Sequence, residues 1–172
     1  RAAKNWPKTT SEQMEKRTIL DSVIQVMRDE LALLNRAAED ARSGATDSEV
    51  RSESKYDTRG LESSYLARGH AMKFEALAAD VALLDNLECL AFEDGAKIGV
   101  GALVGLKMGR EVFRFYVLPK GGGIEIELDD GQSEITVVTP DAPMGGSLLG
   151  LGVGDSFSLS KNQPRASIKT IE

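Results

Sequence analysis

Leu20, Ile24, Met27, Leu31, Leu34 and Ala38 recur at spacings of 4, 3, 4, 3 and 4, the period of a helix that buries one narrow apolar seam against another helix. This seam restricts the first part of the chain to a long helix that needs a partner. Pro7 precedes it, Thr9, Thr10 and Ser11 are candidate N-caps, and Glu12 and Glu15 suit the positive end of the helix dipole. The first helix is therefore predicted from about Thr10 to about Arg42. Its partner lies in the same chain: Leu66, His70, Phe74, Leu77, Val81 and Leu84 form a second stripe. The polar stretch from Ser43 to Ser54 separates the two and has no seam of its own. Two long helices with one polar connection predict an antiparallel hairpin.

The rest of the chain cannot continue in this way. Of the 17 glycines only Gly44, Gly60 and Gly69 precede residue 87, and four of the five prolines also follow it. The period falls to two at Ile124-Glu125-Ile126-Glu127-Leu128, and Asp129-Asp130-Gly131 is a turn signal before Ile135-Thr136-Val137-Val138. Further strands are predicted at Lys97 to Val104, Glu111 to Leu118, Ser156 to Leu159 and Ala166 to Ile171, with one short helix at Gly145 to Leu149. The expected fold class is α+β. A long antiparallel α-helical hairpin, a coiled coil, occupies residues 1–86 with an acidic tip around 43–57, and a small antiparallel β domain with one short helix occupies 87–172.

Charge and cysteine content narrow the function classes. The net charge of -6 comes from 21 basic and 27 acidic residues, spread over both halves, so no basic module for duplex DNA is present. No direct sequence-specific DNA binding is expected. No apolar run approaches the roughly 20 residues that span a bilayer, so no membrane role is expected either. No signal peptide is visible, although the chain starts at Arg1 rather than at a methionine and leaves room for a removed leader. Cys89, the one cysteine, sits in the apolar run Leu87 to Phe92 and reads as a buried thiol, which fits a reducing, cytoplasmic setting. The seam can be satisfied within one chain, so a monomer is expected.

Conventional catalytic motifs are missing. His70 is the sole histidine and falls on the second stripe, where it reads as a packed seam residue. One His and one Cys exclude a His/Cys metal site. Gly99-Val100-Gly101-Ala102-Leu103-Val104-Gly105 has the wrong spacing for a dinucleotide loop, and Gly121-Gly122-Gly123 reads as a hairpin turn. The connecting segment carries more chemistry: Glu39, Asp40, Asp47, Glu49, Glu53 and Asp57 stand against Arg42, Arg51 and Lys55. Hard carboxylate oxygens suit Mg2+; a solvated helix end is the simpler reading.

The run Thr139-Pro140-Asp141-Ala142-Pro143-Met144-Gly145-Gly146-Ser147-Leu148-Leu149-Gly150-Leu151-Gly152-Val153-Gly154-Asp155 resembles the C-terminal signature of the Gre (GreA/GreB) family of bacterial transcription factors. The closing strand Ala166 to Ile171 is similar to that family's ending, and Glu53 to Ala67 looks like a block of a divergent Gre-like subgroup. In the motif, Leu148 and Leu149 are expected to cap one face of the sheet. The resemblance implies an FKBP-like β domain, and RNA polymerase as the partner, entered through its secondary channel. It also implies a coiled-coil tip whose carboxylates Asp47, Glu49 and Glu53 share Mg2+ with the polymerase active site and assist cleavage of backtracked RNA. Contact with the nascent RNA 3' end is then indirect, the factor has no cofactor of its own, and it shows no hydrolysis alone. The family tip is matched with a one-residue gap at Glu53-Ser54-Lys55-Tyr56, and the preceding family Asp falls on Val50, next to Glu49. Tyr56, Asp57 and Arg59 are candidates for contacts with polymerase, or for helix-supporting ion pairs. Two other readings stay open: a non-cleaving Gre-like or Rnk-like regulator in the same channel, and an FKBP-type isomerase or chaperone with a coiled-coil arm.

Overall fold

A computed structural model describes residues 8–51, 59–128, 134–158 and 165–172. In chain order the elements are α1 (Lys8–Arg51), α2 (Arg59–Asp85), β1 (Leu103–Met108), β2 (Glu111–Val117), β3 (Glu125–Glu127), β4 (Glu134–Val138), α3 (Pro143–Leu148), β5 (Ser156–Phe157) and β6 (Ala166–Ile171). The α+β class matches the expectation. Two compact units result: Ile24–Asp85 forms one, and the described residues up to Val23 join Asn86–Glu172 in the other.

In the helical unit the expected seam is buried at Ile24, Met27 and Ala38 on α1 and at Val81 and Leu84 on α2. Leu31, Leu34, His70, Phe74 and Leu77 are half-buried. Leu66 is 59% exposed, so the second stripe stops short of its predicted start. Arg28 donates to both carboxylate oxygens of Asp85 at 2.9 and 2.8 Å. Farther along, a cavity of about 260 Å³ is lined by Asn35, Ala38 and Arg42 from α1 and by Ala71, Phe74 and Glu75 from α2. Moving up α1 from Arg28 to Ala38 thus moves down α2 from Asp85 to Phe74, which is an antiparallel course.

α1 does not end near Arg42 but runs to Arg51. Residues 43–51 contain one glycine and no proline, and a helix needs only its own i to i−4 hydrogen bonds to continue where no residue forbids it. The missing seam signals the loss of a buried face, and the backbone carries on. α2 likewise begins at Arg59, before the seam starts.

The sheet has the order β3-β4-β2-β1-β6-β5. β1–β2, β1–β6, β3–β4 and β5–β6 are antiparallel, but β2 and β4 pair in parallel, with Arg114 opposite Ile135 and Val117 opposite Val138. The purely antiparallel sheet expected from the sequence is therefore corrected to a mixed one. β4 turns back from β3 and inserts between β3 and β2, so β2 and β4, separated in sequence by two reversals, run the same way. The strand predicted from Lys97 begins only at Leu103, because 97–102 are irregular: a turn at 100–101 is closed by Ala102 N–H to Gly99 O, and Ile98 N–H and Gly101 N–H bond Leu151 O and Val117 O instead of a strand ladder.

β1 is buried on both faces from Leu103 to Leu106, as a central strand covered on both sides must be. On one face Val104, Leu106, Phe115, Val117, Val138 and Ile168 pack with Leu148 of α3. The other face holds Tyr116, Ile135 and Val137, all fully buried, and the first turns of α1 bring Ile19, Leu20 and Val23 to the same unit, also buried. α3 starts at Pro143 rather than Gly145, since proline suits the first turn of a helix. Leu148 is buried while Leu149 is 37% exposed, so only the first of the two leucines caps the sheet.

Candidate functional site

Asp47 and Glu49 fall in the last two turns of α1 and Arg59 is the first residue of α2. The side chains of all three, and residues Glu53, Tyr56 and Asp57 entirely, lie outside the described residues. Because α1 stays helical to Arg51, positions 47 and 49 stand about 200° apart around its axis at roughly 100° per residue. Asp40, seven residues before Asp47, shares its side of the helix. Asp40 and Glu39 are exposed, and Asn35 donates to Glu39 at 3.1 Å. Among the described residues no three His, Cys, Asp or Glu side chains converge to hold a metal ion, and no helix is long and apolar enough to cross a membrane.

The conventional candidates have structural roles. His70 sits half-buried in the helical unit with Nδ1 buried and without a hydrogen-bond partner. Cys89 is half-buried, 3.9 Å from the Tyr116 hydroxyl. Burial, then the charge of Cys89 and the hydrogen bond with it, push the Tyr116 phenol above its ordinary range, with Arg17 acting weakly the other way. Tyr116 is thus a neutral core residue. Gly121 and Gly123 adopt φ of 82° and 88° in the turn between β2 and β3, but β4 lies between those two strands, so the hairpin expected there is corrected to a turn that joins strands that are not neighbours.

Lys16 is the polar residue that sequence reasoning missed. It is 1% exposed, donating to the carbonyls of Leu90 at 2.5 Å and Glu172 at 3.0 Å, with its ammonium 4.8 Å from the centre of the Phe92 ring. Its one sequence signal was position: four residues before Leu20, it extends the apolar seam by one turn. A charged group survives there because hydrogen bonds and an aromatic face replace its water.

At the opposite edge of the sheet, β3 pairs with β4 through Glu125–Thr136, Ile126–Ile135 and Glu127–Glu134. The charge of Glu125 and a hydrogen bond to it, with a smaller effect of Glu127, raise the proton affinity of Glu134. This acidic edge discourages pairing with another sheet. Beside it a cavity of about 400 Å³ is lined by Glu15, Thr18, Ile19 and Ser22 of α1 and by Ile126, Glu127 and Leu128. Among the described residues no aromatic side chain lines it. Arg114 binds Glu15 at 3.2 Å.

No protein-family model matches the chain, and no curated protein matches it. Among solved structures it is similar to the GreA factor homolog Gfh1 of Thermus thermophilus, at 20% identity over 87% of this chain and 94% of that one, with a TM-score of 0.35. It is also similar to Thermus aquaticus Gfh1, at 22% identity over 86% and 92% of the two chains, with the same TM-score of 0.35. A further structure, of the transcription factor Gfh1, matches at 23% identity over 87% and 92%, again with a TM-score of 0.35.

Proposed function

We propose that this chain is a Gre-like transcription elongation regulator that binds RNA polymerase through the secondary channel by its helical unit. The carrying observation is the antiparallel course of α1 and α2, fixed at Arg28–Asp85 and at the Ala38–Phe74 cavity. It makes the acidic connection between the two helices one end of a two-helix rod. The stretch of α1 from Ile24 to Arg51 is about 42 Å long at 1.5 Å per residue, a narrow reach of the kind a channel requires. The signature Thr139 to Asp155 supports an FKBP-like β domain as the docking part. In this reading Asp47, Glu49 and Glu53 supply carboxylate oxygens towards an Mg2+ ion shared with the polymerase, and Tyr56, Asp57 and Arg59 contact the channel wall. When bound, such an ion activates water for cleavage of backtracked RNA.

The helical phase of α1 favours a second reading beside the first. With positions 47 and 49 on different sides of the helix, a single ion is served by one of them together with residues beyond Arg51. A non-cleaving regulator that occupies the same channel fits that constraint without further demands. A backtracked polymerase complex incubated with the protein and Mg2+ separates the two. Cleavage predicts shortened transcripts, lost in the D47A/E49A/E53A variant and lost in only one of the single variants D47A and E49A. Binding with unchanged RNA leaves the non-cleaving regulator, and no binding to polymerase removes both readings.

A further inference from the structure

We infer that the cavity between the early turns of α1 and the β3 edge is a binding site for a guanidinium carried on a short alkyl stem, the chemistry of an arginine side chain. Its volume of about 400 Å³ is that of a small-molecule site, and both of its walls belong to the same compact unit. α1 contributes Glu15, Thr18, Ile19 and Ser22, and the β3 side contributes Ile126, Glu127 and Leu128. Thr18 and Ser22 are four residues apart and so share a side of α1.

The hydrogen bonds already made decide what the cavity can take. The Thr18 hydroxyl donates to the Met14 carbonyl and the Ser22 hydroxyl to the Thr18 carbonyl, both at 3.0 Å. Each hydroxyl proton is thus committed to the helix, and each oxygen keeps lone pairs for a donor from outside. Glu15 already holds Arg114, so the charge that selects a ligand is that of Glu127. This carboxylate stands opposite the like charge of Glu134 across the strand pair, and among the described residues no cation pairs with it. Every polar side chain of the lining is therefore an acceptor, and an anion finds no side-chain donor here. Ile19, Ile126 and Leu128 supply the apolar part of the lining. A cation that only donates and carries an apolar stem matches both parts. Guanidinium suits the site better than ammonium, because its donors fan out in a plane towards acceptors on separate walls and it gives up water more readily.

The test is an amide NMR titration of the isotopically labelled full chain with n-propylguanidinium and with Nα-acetylarginine N-methylamide, each up to about 20 mM in about 100 mM NaCl. The expected result is saturable binding of n-propylguanidinium with a Kd of about 1 mM and shifts at Thr18, Ser22 and Ile126, weakened at least about fivefold by E127Q and about threefold by T18V. n-Propylurea, which has the same shape without the charge, should bind at least about tenfold more weakly. E111Q removes an exposed carboxylate elsewhere in the same unit and should leave the Kd within about 1.5-fold. Far-UV circular dichroism checks that the variants remain folded. Saturation by the acetylated arginine as well assigns the site to an arginine side chain of a protein partner; saturation by n-propylguanidinium alone assigns it to a free guanidinium compound. Absence of saturation, a Kd unchanged by E127Q, an equal loss in E111Q or equal binding of n-propylurea overturns the inference.

Discussion

Single residues decide more of this protein than its composition suggests. Lys16 links α1 to the carbonyls of Leu90 and Glu172, and truncating it removes both bonds, leaves the Glu172 carbonyl with the Leu103 N–H and opens a void where a 1% exposed side chain stood. K16A is expected to destabilise the chain by about 2–3 kcal/mol, read as a lower urea midpoint with an unchanged slope. Asp155 Oδ2 accepts the Gly152 N–H at 2.8 Å and Lys97 Nζ at 3.3 Å. The Gly152 bond, then Lys97, hold its carboxyl below the ordinary value of 3.8. A folded-state value below the unfolded one adds stability that is present above the unfolded value and is lost as pH falls through the folded value. The wild type should therefore exceed D155N in urea midpoint at neutral pH and converge with it between about pH 4 and pH 2. A gap that persists unchanged to acid would place the role of Asp155 in something other than its charge. Little of this is legible in sequence, where Lys16 is one basic residue among 21 and only its place one turn before Leu20 on the seam sets it apart.

Elements follow from local rules wherever backbone chemistry is decisive. The turn that feeds α3 is one such place. A Cβ on Gly145 would collide with the Thr139 carbonyl, so the glycine that follows Pro143-Met144 is required by close packing of the turn on itself. G145A should cost about 2 kcal/mol or more through the forced shift. A midpoint within about 0.5 kcal/mol of the wild type would show that the turn gives way freely. The strands Glu111–Val117 and Ala166–Ile171 were legible because their residues are β-branched or aromatic and lie between glycine-bearing turns or charged stretches. The end of α1 was not legible: the seam reports burial, and helical hydrogen bonding continued for nine residues beyond Arg42 without it. That difference bears on the candidate site directly, since it sets the phase of Asp47 against Glu49.

At the scale of the whole molecule, one helix belongs to two units: the described residues of α1 up to Val23 join the sheet and those from Ile24 join α2. A fragment of residues 87–172 lacks Ile19, Leu20 and Val23, and with them Lys16. It should expose the sheet face of Tyr116, Ile135 and Val137 and lose its near-UV circular dichroism and cooperative unfolding. Full retention of both would make the β unit independent of α1. The sequence by itself determined the classes of structure: two seam-bearing helices, a glycine-punctuated β region, and an acidic connection between the helices. Those features depend on periodicity and on backbone freedom, which are local. Only the tertiary structure decided that β4 inserts between β3 and β2, that α1 is divided between the units, and that Lys16 is buried while Tyr65, Met72 and Leu83 are exposed. Each of these depends on which faces meet across long stretches of chain, and no local pattern encodes that choice.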